Sequence, residues 1–251
     1  MNALDGIRWL AVVPFVLALW SGNRPVHDTG GVHLGLSGSL PYPVTGGWSF
    51  LDFPSTGVTE TLTTDPVGST GLLAPLLGVL VTAVLAAGYL GTIHRQLAGE
   101  QPQVLTDVRR YTVPVLGFQL FVFISVIVLV LIGALSAPFV LVTFVGLIGG
   151  GYFFYPALFV IIAEDRDLLS ALQRSYAITR SGGAAFSYAV RYLIATALVS
   201  IPATAVFVNL GYPGTLAGLI LLAPVGLVFD ITTMAFIEDA LDDLEPEVRR
   251  T

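Results

Sequence analysis

The sequence lacks cysteine and lysine and carries few charges. The absence of cysteine in 251 residues excludes disulfide bonds, thiolate metal sites and cysteine nucleophiles. All 11 basic residues are arginine, and they stand against 17 acidic residues for a net charge of −6. Charged residues make up 11% of the chain, whereas a soluble domain usually has about 25%. The chain therefore has too little polar surface to face water on all sides, and its acidic balance argues against a nucleic-acid partner.

Sequence motifs for catalysis and cofactor binding are also missing. There is no Walker loop, no dinucleotide-binding fingerprint and no spacing of Ser, His and Asp that specifies a triad. His27 and His33, with Asp28 next to the first, are close in sequence and could bind a metal ion. No third strong ligand joins the two histidines at a useful spacing, so we expect no metal site. We therefore expect neither a catalytic site nor a cofactor.

Long apolar runs are the feature that the sequence does have, with a mean hydropathy of +0.83. A membrane-spanning helix needs roughly 20 mainly apolar residues. Five runs qualify: residues 71–93, 113–135, 138–162, 185–210 and 215–237. A sixth run, 7–20, is shorter and resembles a signal-peptide core, but Leu19–Trp20–Ser21 offers no small-x-small cleavage pattern, so we interpret it as a retained first span. The sequence predicts an all-α polytopic membrane bundle of six transmembrane helices.

The arginines predict the orientation of this bundle. They fall near both termini and in the two loops after the second and fourth spans: Arg8, Arg95, Arg109, Arg110, Arg166, Arg174, Arg180, Arg249 and Arg250. Only Arg24 lies in a loop on the opposite side. Because cytoplasmic loops carry an excess of Lys and Arg, we expect a cell-membrane protein with both termini in the cytoplasm.

One long segment, residues 21–70, is expected outside the cell membrane. It is rich in Gly, Ser, Thr and Pro, and Val32, Leu34 and Leu36 alternate with small or polar residues. This alternation favours a small β-hairpin cap on the bilayer surface. A disordered loop is the alternative.

The two predicted cytoplasmic loops resemble each other at an offset of 64 positions. Glu100, Val104, Leu105, Thr106, Val108 and Arg110 match Glu164, Leu168, Leu169, Ser170, Leu172 and Arg174. In the second loop, Leu168, Leu172 and Tyr176 recur at helical spacing, with Arg174 on another face and Arg180 before a Gly182–Gly183 stop. We predict two interfacial helices, 98–111 and 165–181. The matching loops indicate either a parallel repeat or two similar amphipathic linkers.

Asp230 is the only acidic side chain well inside a predicted span. A carboxylate in hydrocarbon costs at least about 2.5 kcal/mol and needs a partner. Arg191 lies in the preceding span at a similar depth, since at 1.5 Å per residue Asp230 is roughly 10 Å and Arg191 roughly 8 Å from the inner end of its helix. We predict a buried Arg191–Asp230 ion pair. The pair either fixes helix register or couples protons or ions, unless Asp230 reaches headgroup water.

Small residues at four-residue spacing mark helix surfaces that can approach closely. They are Ala83, Ala87 and Gly91 in the second span and Gly146 and Gly150 in the fourth. We expect them to pack helices within one bundle, with homo-oligomerisation as the alternative.

A resemblance to known proteins rests on three short stretches. They are Y-P-A-L at 155–158, A-E-D at 163–165 and A-L-Q-R-S-Y-A-I-T-R at 171–180. These stretches resemble a loosely defined group of six-span proteins that includes the membrane domain of glycerophosphodiester phosphodiesterases and the YciC-type integral membrane proteins. In that group an apolar span ends near an acidic residue, and an A-L-x-R-S-x-x-(L/I)-T helix precedes the next span. The resemblance extends over about residues 73–236 and implies a helical membrane module; this sequence carries no soluble phosphodiesterase domain, so that activity is not implied. The lysine-free, acidic composition also resembles proteins of extreme halophiles such as haloarchaea.

These observations predict a non-catalytic membrane protein, a scaffold or accessory subunit that contacts lipids or a partner membrane protein. The alternative is a small transporter-like module that uses the Asp230–Arg191 pair.

Overall fold

The computed structural model describes residues 8–20, 32–53 and 73–248, and within these ranges the chain forms helices and no strand. Five helices are long and apolar enough to cross a membrane. The predicted all-α polytopic membrane bundle is confirmed. The apolar helix over Arg8–Trp20 is shorter than the other five, so a count of six spans remains a prediction.

The helices follow one another with short connections after residue 73. In chain order they are α1 (Val12–Trp20, preceded by a 3-10 turn at Arg8–Ala11), α2 (Leu73–Leu97), α3 (Val104–Leu135), α4 (Ala137–Phe154), α5 (Ala157–Ala163), α6 (Leu168–Arg180), α7 (Gly183–Ala203) and α8 (Gly211–Val248).

The first predicted interfacial helix, 98–111, has different bounds in the structure. Residues 98–103 form a turn and coil, and α3 then runs without a break from Val104 into the membrane span. Tyr111 and Val115 are buried on this continuous helix, so apolar contacts with the bundle continue past the predicted end. The second predicted interfacial helix, 165–181, corresponds to α6, which begins at Leu168. Val104 and Leu168 are 64 positions apart, so the two helices begin at matched positions of the sequence similarity.

Proline divides the fourth predicted span into α4 and α5. Pro156 has no N–H to donate to the turn before it, and the helix is interrupted at Tyr155–Pro156. The Ser175 hydroxyl of α6 donates to the Phe153 carbonyl at 2.8 Å. A side chain from a neighbouring helix therefore satisfies a backbone acceptor beside the break, as membrane interiors require.

Two other predicted spans also contain a proline, and these two prolines behave differently. Pro202 lies near the end of α7, and a π-helical turn, Thr204–Val208, follows it. Pro224 lies inside α8, which continues through it. Only the first of the three breaks its helix.

The largest cluster of buried apolar side chains joins α2, α3, α5, α7 and α8. The apolar residues of α5 from Ala157 to Ile162 are all buried, which makes this short helix the centre of the bundle. In contrast, α4 has no buried residue. A second, smaller cluster packs Phe50 and Leu51 against α1, α7 and α8.

Residues 32–53 belong to the predicted external segment, yet much of this stretch is enclosed by helices. Leu34 is 75% exposed, whereas Thr45 and Phe50 are fully buried. Apart from a 3-10 turn at Gly47–Ser49, the stretch has no regular secondary structure. The predicted β-hairpin does not form within residues 32–53, because the backbone pairs with side chains of the bundle rather than with a second strand. The rest of the segment lies outside the described residues.

Candidate functional site

The described stretch 32–53 enters the bundle along α7 and returns. The Ser37 amide donates to Ser200 Oγ at 2.8 Å, and Thr45 Oγ1 lies 2.7 Å from Tyr192 Oη. On the way back the Asp52 amide donates to Thr204 Oγ1 at 3.0 Å. At 1.5 Å per residue, Tyr192 lies roughly 18 Å along the helix axis from Thr204. We call residues 32–53 the re-entrant segment.

The open end of the re-entrant segment is closed by polar contacts. His33 Nε2 lies 3.1 Å from Asp52 Oδ2, which links the entering and leaving parts of the segment. Asn209, just after the π-helical turn, accepts a hydrogen bond from the His33 amide at 2.6 Å and donates to the His33 carbonyl at 2.8 Å. These bonds fix both parts of the segment at one end of α7.

Close packing against α8 holds the tip of the segment. A Cβ added to Gly226 would lie 1.9 Å from the Thr45 carbonyl oxygen, so only glycine allows this approach. A Cβ on Gly47 would lie 2.8 Å from Leu219 Cδ2. The Trp48 indole N–H donates to the Ala18 carbonyl at 2.5 Å and ties the segment to α1 as well.

Asp230 is fully buried at the tip, where its carboxylate is surrounded by donors. Thr45 Oγ1 donates to Oδ1 at 2.6 Å, and the Thr45 amide lies 3.1 and 3.0 Å from Oδ1 and Oδ2. Tyr89 of α2 donates to Oδ2 at 2.7 Å. Because the Thr45 hydroxyl proton is directed at the carboxylate, the Tyr192 hydroxyl donates to Thr45 in turn. The carboxylate thus connects α2, α7, α8 and the re-entrant segment through neutral donors.

The predicted Arg191–Asp230 ion pair is absent. Arg191 lies on an exposed part of α7, while the adjacent Tyr192 is 4% exposed and faces the Thr45 hydroxyl. Consecutive helical residues point about 100° apart, so only one of the two side chains can face α8. Arg191 and Asp230 lie at similar depths along their helices, but depth does not specify which face of a helix a residue occupies.

The predicted small residues divide into two groups. Ala83 and Ala87 are fully buried in α2, and a Cβ on Gly91 would lie 2.6 Å from Asp107 Cβ of α3. In α4, a Cβ on Gly146 would meet Leu129 of α3 at 2.9 Å, but one on Gly150 would meet nothing within 4 Å. Four of the five positions therefore pack helices of one bundle, and Gly150 borders open space.

Charged side chains gather at the opposite end of the bundle. Arg95 binds Glu100 at 2.7 Å and the buried Asp107 at 2.8 Å. Arg110 binds both carboxylate oxygens of Asp165, at 2.7 and 2.5 Å. The Arg110 guanidinium holds the pKa of Asp165 below its ordinary value. We call this region the arginine-rich end.

The interfacial-helix residues of α6 lie beside this end. Leu168 and Leu172 are half-buried against the main core, and Arg174 binds Glu164 at 3.3 Å. Tyr176 is 43% exposed and contacts the Phe153 ring. The Arg180 guanidinium lies 6.0 Å from the Tyr176 ring centroid.

Sequence reasoning missed Thr45, Tyr89 and Tyr192 as partners of Asp230. Two signals were available: threonine followed by Gly46–Gly47 allows close backbone approach, and a tyrosine in each of two spans supplies an uncharged donor. His33 was considered as a metal ligand, but His27 and Asp28 lie outside the described residues. Across residues 8–20, 32–53 and 73–248, no group of three potential ligands is arranged to hold a metal ion.

No protein-family model, curated protein or solved structure matches this chain.

Proposed function

We propose that this protein is a non-catalytic membrane protein, a scaffold or accessory subunit that contacts membrane lipids and a partner membrane protein. The observation that carries the proposal is the hairpin formed by α3 and α4. None of the side chains of α4 is buried, and only 11% of the most apolar stretch of α3 is buried. A hairpin with so little contact to its own bundle offers a large apolar surface to other membrane components.

The hairpin is a defined unit despite its exposure. Thr143 Oγ1 of α4 donates to the Leu129 carbonyl of α3 at 2.6 Å. A Cβ on Gly133 would lie 2.7 Å from Thr143 Oγ1, so the two helices are in close contact near their connection. Its exposed apolar residues include Ile124, Leu131, Leu141, Phe144, Val145 and Ile148. A rigid apolar hairpin suits contact with another helix through van der Waals packing.

The resemblance to the six-span group and the arginine distribution add to the proposal. The arginine-rich end would face the cytoplasm under the positive-inside rule, and the open end of the re-entrant segment would face outward. The partner would then meet the hairpin within the bilayer, between these two ends.

A transporter-like function is the second candidate. Re-entrant backbone, a helix broken at Pro156 and a buried carboxylate are features of transport sites. However, the donors around Asp230 already occupy both oxygens, and Asp230 does not line either of the two cavities beside the re-entrant segment. A buried carboxylate held in this way favours a structural role.

Photo-crosslinking tests the scaffold proposal. Because the chain has no cysteine, single cysteines at Leu141 and Val145 can carry a benzophenone, with Leu198 of α7 as the control. Leu198 is exposed like the other two, at 63% against 67% and 61%. We expect one protein adduct of the same mass from both hairpin positions in native membranes and none from Leu198; a second copy of this chain would appear as a doubled mass. Lipid adducts alone at all three positions would contradict the proposal.

Proton flux into liposomes tests the second candidate. The scaffold proposal predicts no protein-dependent acidification, and no difference between the wild-type chain and Asp230→Asn. Proton entry that disappears in Asp230→Asn would favour transport instead.

A further inference from the structure

A small cavity lies at the arginine-rich end, between the end of α6, the start of α7 and the last part of α8. The last part of α8 reaches this end beside α2, where His94 Nδ1 lies 2.6 Å from Glu238 Oε1. The cavity has a volume of about 180 Å³, enough for a small polar group. Ser181, Ala184 and Asp243 line it and are exposed, so it opens to the outside of the bundle. We call it the α7–α8 cavity; no residue of the α3–α4 hairpin lines it.

Arg191 lies on the same side of α7 as the cavity. It follows the lining residue Ala184 by seven positions, which is nearly two full helical turns, so the two side chains leave α7 in about the same direction. At 1.5 Å per residue, Arg191 lies roughly 10 Å further from the arginine-rich end than Ala184. Cα–Cβ bonds tilt towards the N-terminus of a helix, and α7 begins at Gly183. The Arg191 side chain is therefore directed back towards the cavity.

Asp243 supplies the opposite charge from α8. Ring contacts pair Tyr188 with Phe236 and Tyr192 with Phe229, so α7 and α8 are antiparallel. The same tilt of Cα–Cβ bonds therefore directs the Asp243 side chain away from the arginine-rich end and towards the bundle interior. Neither this carboxylate nor the Arg191 guanidinium forms an ion pair or hydrogen bond with another residue that the structure describes. A cation and an anion thus approach the cavity from opposite directions, each without a counter-charge.

The surface around Arg191 fits the two chemical parts of a phospholipid. Arg191 is exposed within the candidate span Gly183–Val208. Because a charge in hydrocarbon is costly, a long arginine side chain extends to the head-group layer and leaves its methylene groups on apolar surface. Beyond Arg191 the same side of α7 is apolar, with Ile194 and Leu198 53% and 63% exposed. A phosphate can meet the guanidinium while acyl chains cover the apolar residues.

We propose that the α7–α8 cavity binds the head group of a zwitterionic phospholipid with an ammonium group, of which phosphatidylethanolamine is the representative. Its phosphate accepts hydrogen bonds from Arg191, its ammonium group donates to Asp243, and its acyl chains extend over Ile194 and Leu198. An anionic phospholipid or the carboxylate of a partner protein would satisfy Arg191 but would leave Asp243 without a counter-charge. The site goes beyond the scaffold proposal, because it is independent of the partner that meets the hairpin.

The chain offers a matched control for each charge. Arg191→Gln removes the cation, and its control is Arg109→Gln, which removes an exposed arginine of α3 at the same end. Asp243→Asn removes the anion, and its control is Asp242→Asn; Asp242 does not line the cavity and points about 100° away from Asp243 on α8. All four residues are exposed, so no variant disturbs the core. Within each pair the change in net charge is equal, and a difference in binding reports the position of the charge.

Native mass spectrometry of the purified full-length chain in detergent measures the binding. The probes are phosphatidylethanolamine and phosphatidylglycerol with the same acyl chains, and the lipid-bound fraction across a titration gives each dissociation constant. We expect phosphatidylethanolamine to bind at least about fivefold more tightly than phosphatidylglycerol, and Arg191→Gln and Asp243→Asn each to weaken it at least about fivefold, as loss of a charge-assisted hydrogen bond implies. Asp243→Asn should also remove the preference over phosphatidylglycerol. Both control variants should bind as the wild-type chain does.

Three results would overturn the proposal. Equal losses of affinity in a cavity variant and its control would mean that the charge of the whole surface, rather than this cavity, attracts the lipid. Phosphatidylglycerol that binds as tightly as phosphatidylethanolamine to the wild-type chain would mean that the site does not recognise the ammonium group. An unchanged affinity for phosphatidylethanolamine in Arg191→Gln or in Asp243→Asn would remove that residue from the site, and with it one of the two charges on which a zwitterionic head group depends.

Discussion

Thr45 donates its hydroxyl proton to the Asp230 carboxylate at 2.6 Å, across 185 positions of sequence. Both residues are fully buried. This bond joins a stretch without regular secondary structure to the last helix, at a depth where water cannot replace it. It therefore holds the re-entrant segment in the bundle, and loss of either partner should loosen the segment.

The contribution of the Thr45 hydroxyl can be measured by substitution. Thr45→Val keeps the shape but removes a donor to a carboxylate, and such bonds contribute about 1.5–3 kcal/mol. We expect a loss of this size in the free energy of unfolding, measured by titration of detergent micelles with dodecyl sulfate. Thr45→Ser keeps the hydroxyl and is the control. Equal stability of the Val and Ser variants would contradict the bond's role.

Gly226 reports on the close approach between α8 and the segment. In Gly226→Ala the new methyl would lie 1.9 Å from the Thr45 carbonyl oxygen, so the segment or the helix must move. We expect a loss at the upper end of overpacking costs, about 3 kcal/mol, in the same unfolding assay. Gly149→Ala, where the methyl meets open space, should change stability by less than about 0.5 kcal/mol. Two equal losses would show that helix composition, rather than the approach to Thr45, sets the effect.

Arg191 and Asp230 should respond differently to loss of charge. Breaking a buried ion pair costs about 3–5 kcal/mol whichever partner is removed. Since Arg191 is exposed and does not contact Asp230, we expect Arg191→Gln to change the free energy of unfolding by less than about 0.5 kcal/mol. Asp230→Asn should destabilise the protein by about 1–3 kcal/mol, because the amide cannot accept from all of the surrounding donors. Similar losses of stability in both variants would indicate that Arg191 and Asp230 do form an ion pair.

The Arg110–Asp165 ion pair should make a small contribution that depends on pH. The pKa of Asp165 is lower in the folded chain than its ordinary value of 3.8. The stabilisation is therefore fully present above pH 3.8 and is lost as the pH falls through the lower, folded value. Both partners are half exposed, which limits the contribution to less than about 1 kcal/mol.

Asp165→Asn is the variant that isolates this charge, because Asp165 has a φ of 53° and asparagine tolerates that conformation. We expect the difference in unfolding free energy between the wild-type chain and the variant to be measurable at pH 7 and to shrink as the pH falls below 3.8. A difference in unfolding free energy that grows as the pH falls would contradict a stabilising Arg110–Asp165 ion pair.

The sequence was sufficient to predict the helices but not the path of the segment between the first two of them. Apolar runs of about 20 residues have few alternatives to a membrane helix, so the five long spans follow from composition. The helix face that each residue occupies was harder to predict from the sequence. Arg191 and Tyr192 are adjacent, and both are plausible neighbours of a carboxylate. The choice depends on rotation of α7 in the bundle, which many distant contacts determine together.

The re-entrant segment could not be read from its own composition. Gly, Ser, Thr and Pro favour loops, and the alternation of Val32, Leu34 and Leu36 favours a strand. What places the segment inside the bundle is a set of partners far along the chain: the hydroxyls of Ser200 and Thr204, and the space beside Gly226. None of these has a local signature.

Labelling of single cysteines with a membrane-impermeant maleimide tests the buried segment most directly, because the chain has no cysteine of its own. Val44 is 7% exposed at the tip, whereas Leu34 is 75% exposed near the open end, and Gln101 is exposed at the arginine-rich end. We predict that Val44→Cys stays unlabelled from both sides of the membrane until the protein is unfolded, while Leu34→Cys and Gln101→Cys react from opposite sides. Reaction of Val44→Cys as fast as Leu34→Cys would show that residues 32–53 lie outside the bundle and would contradict the account.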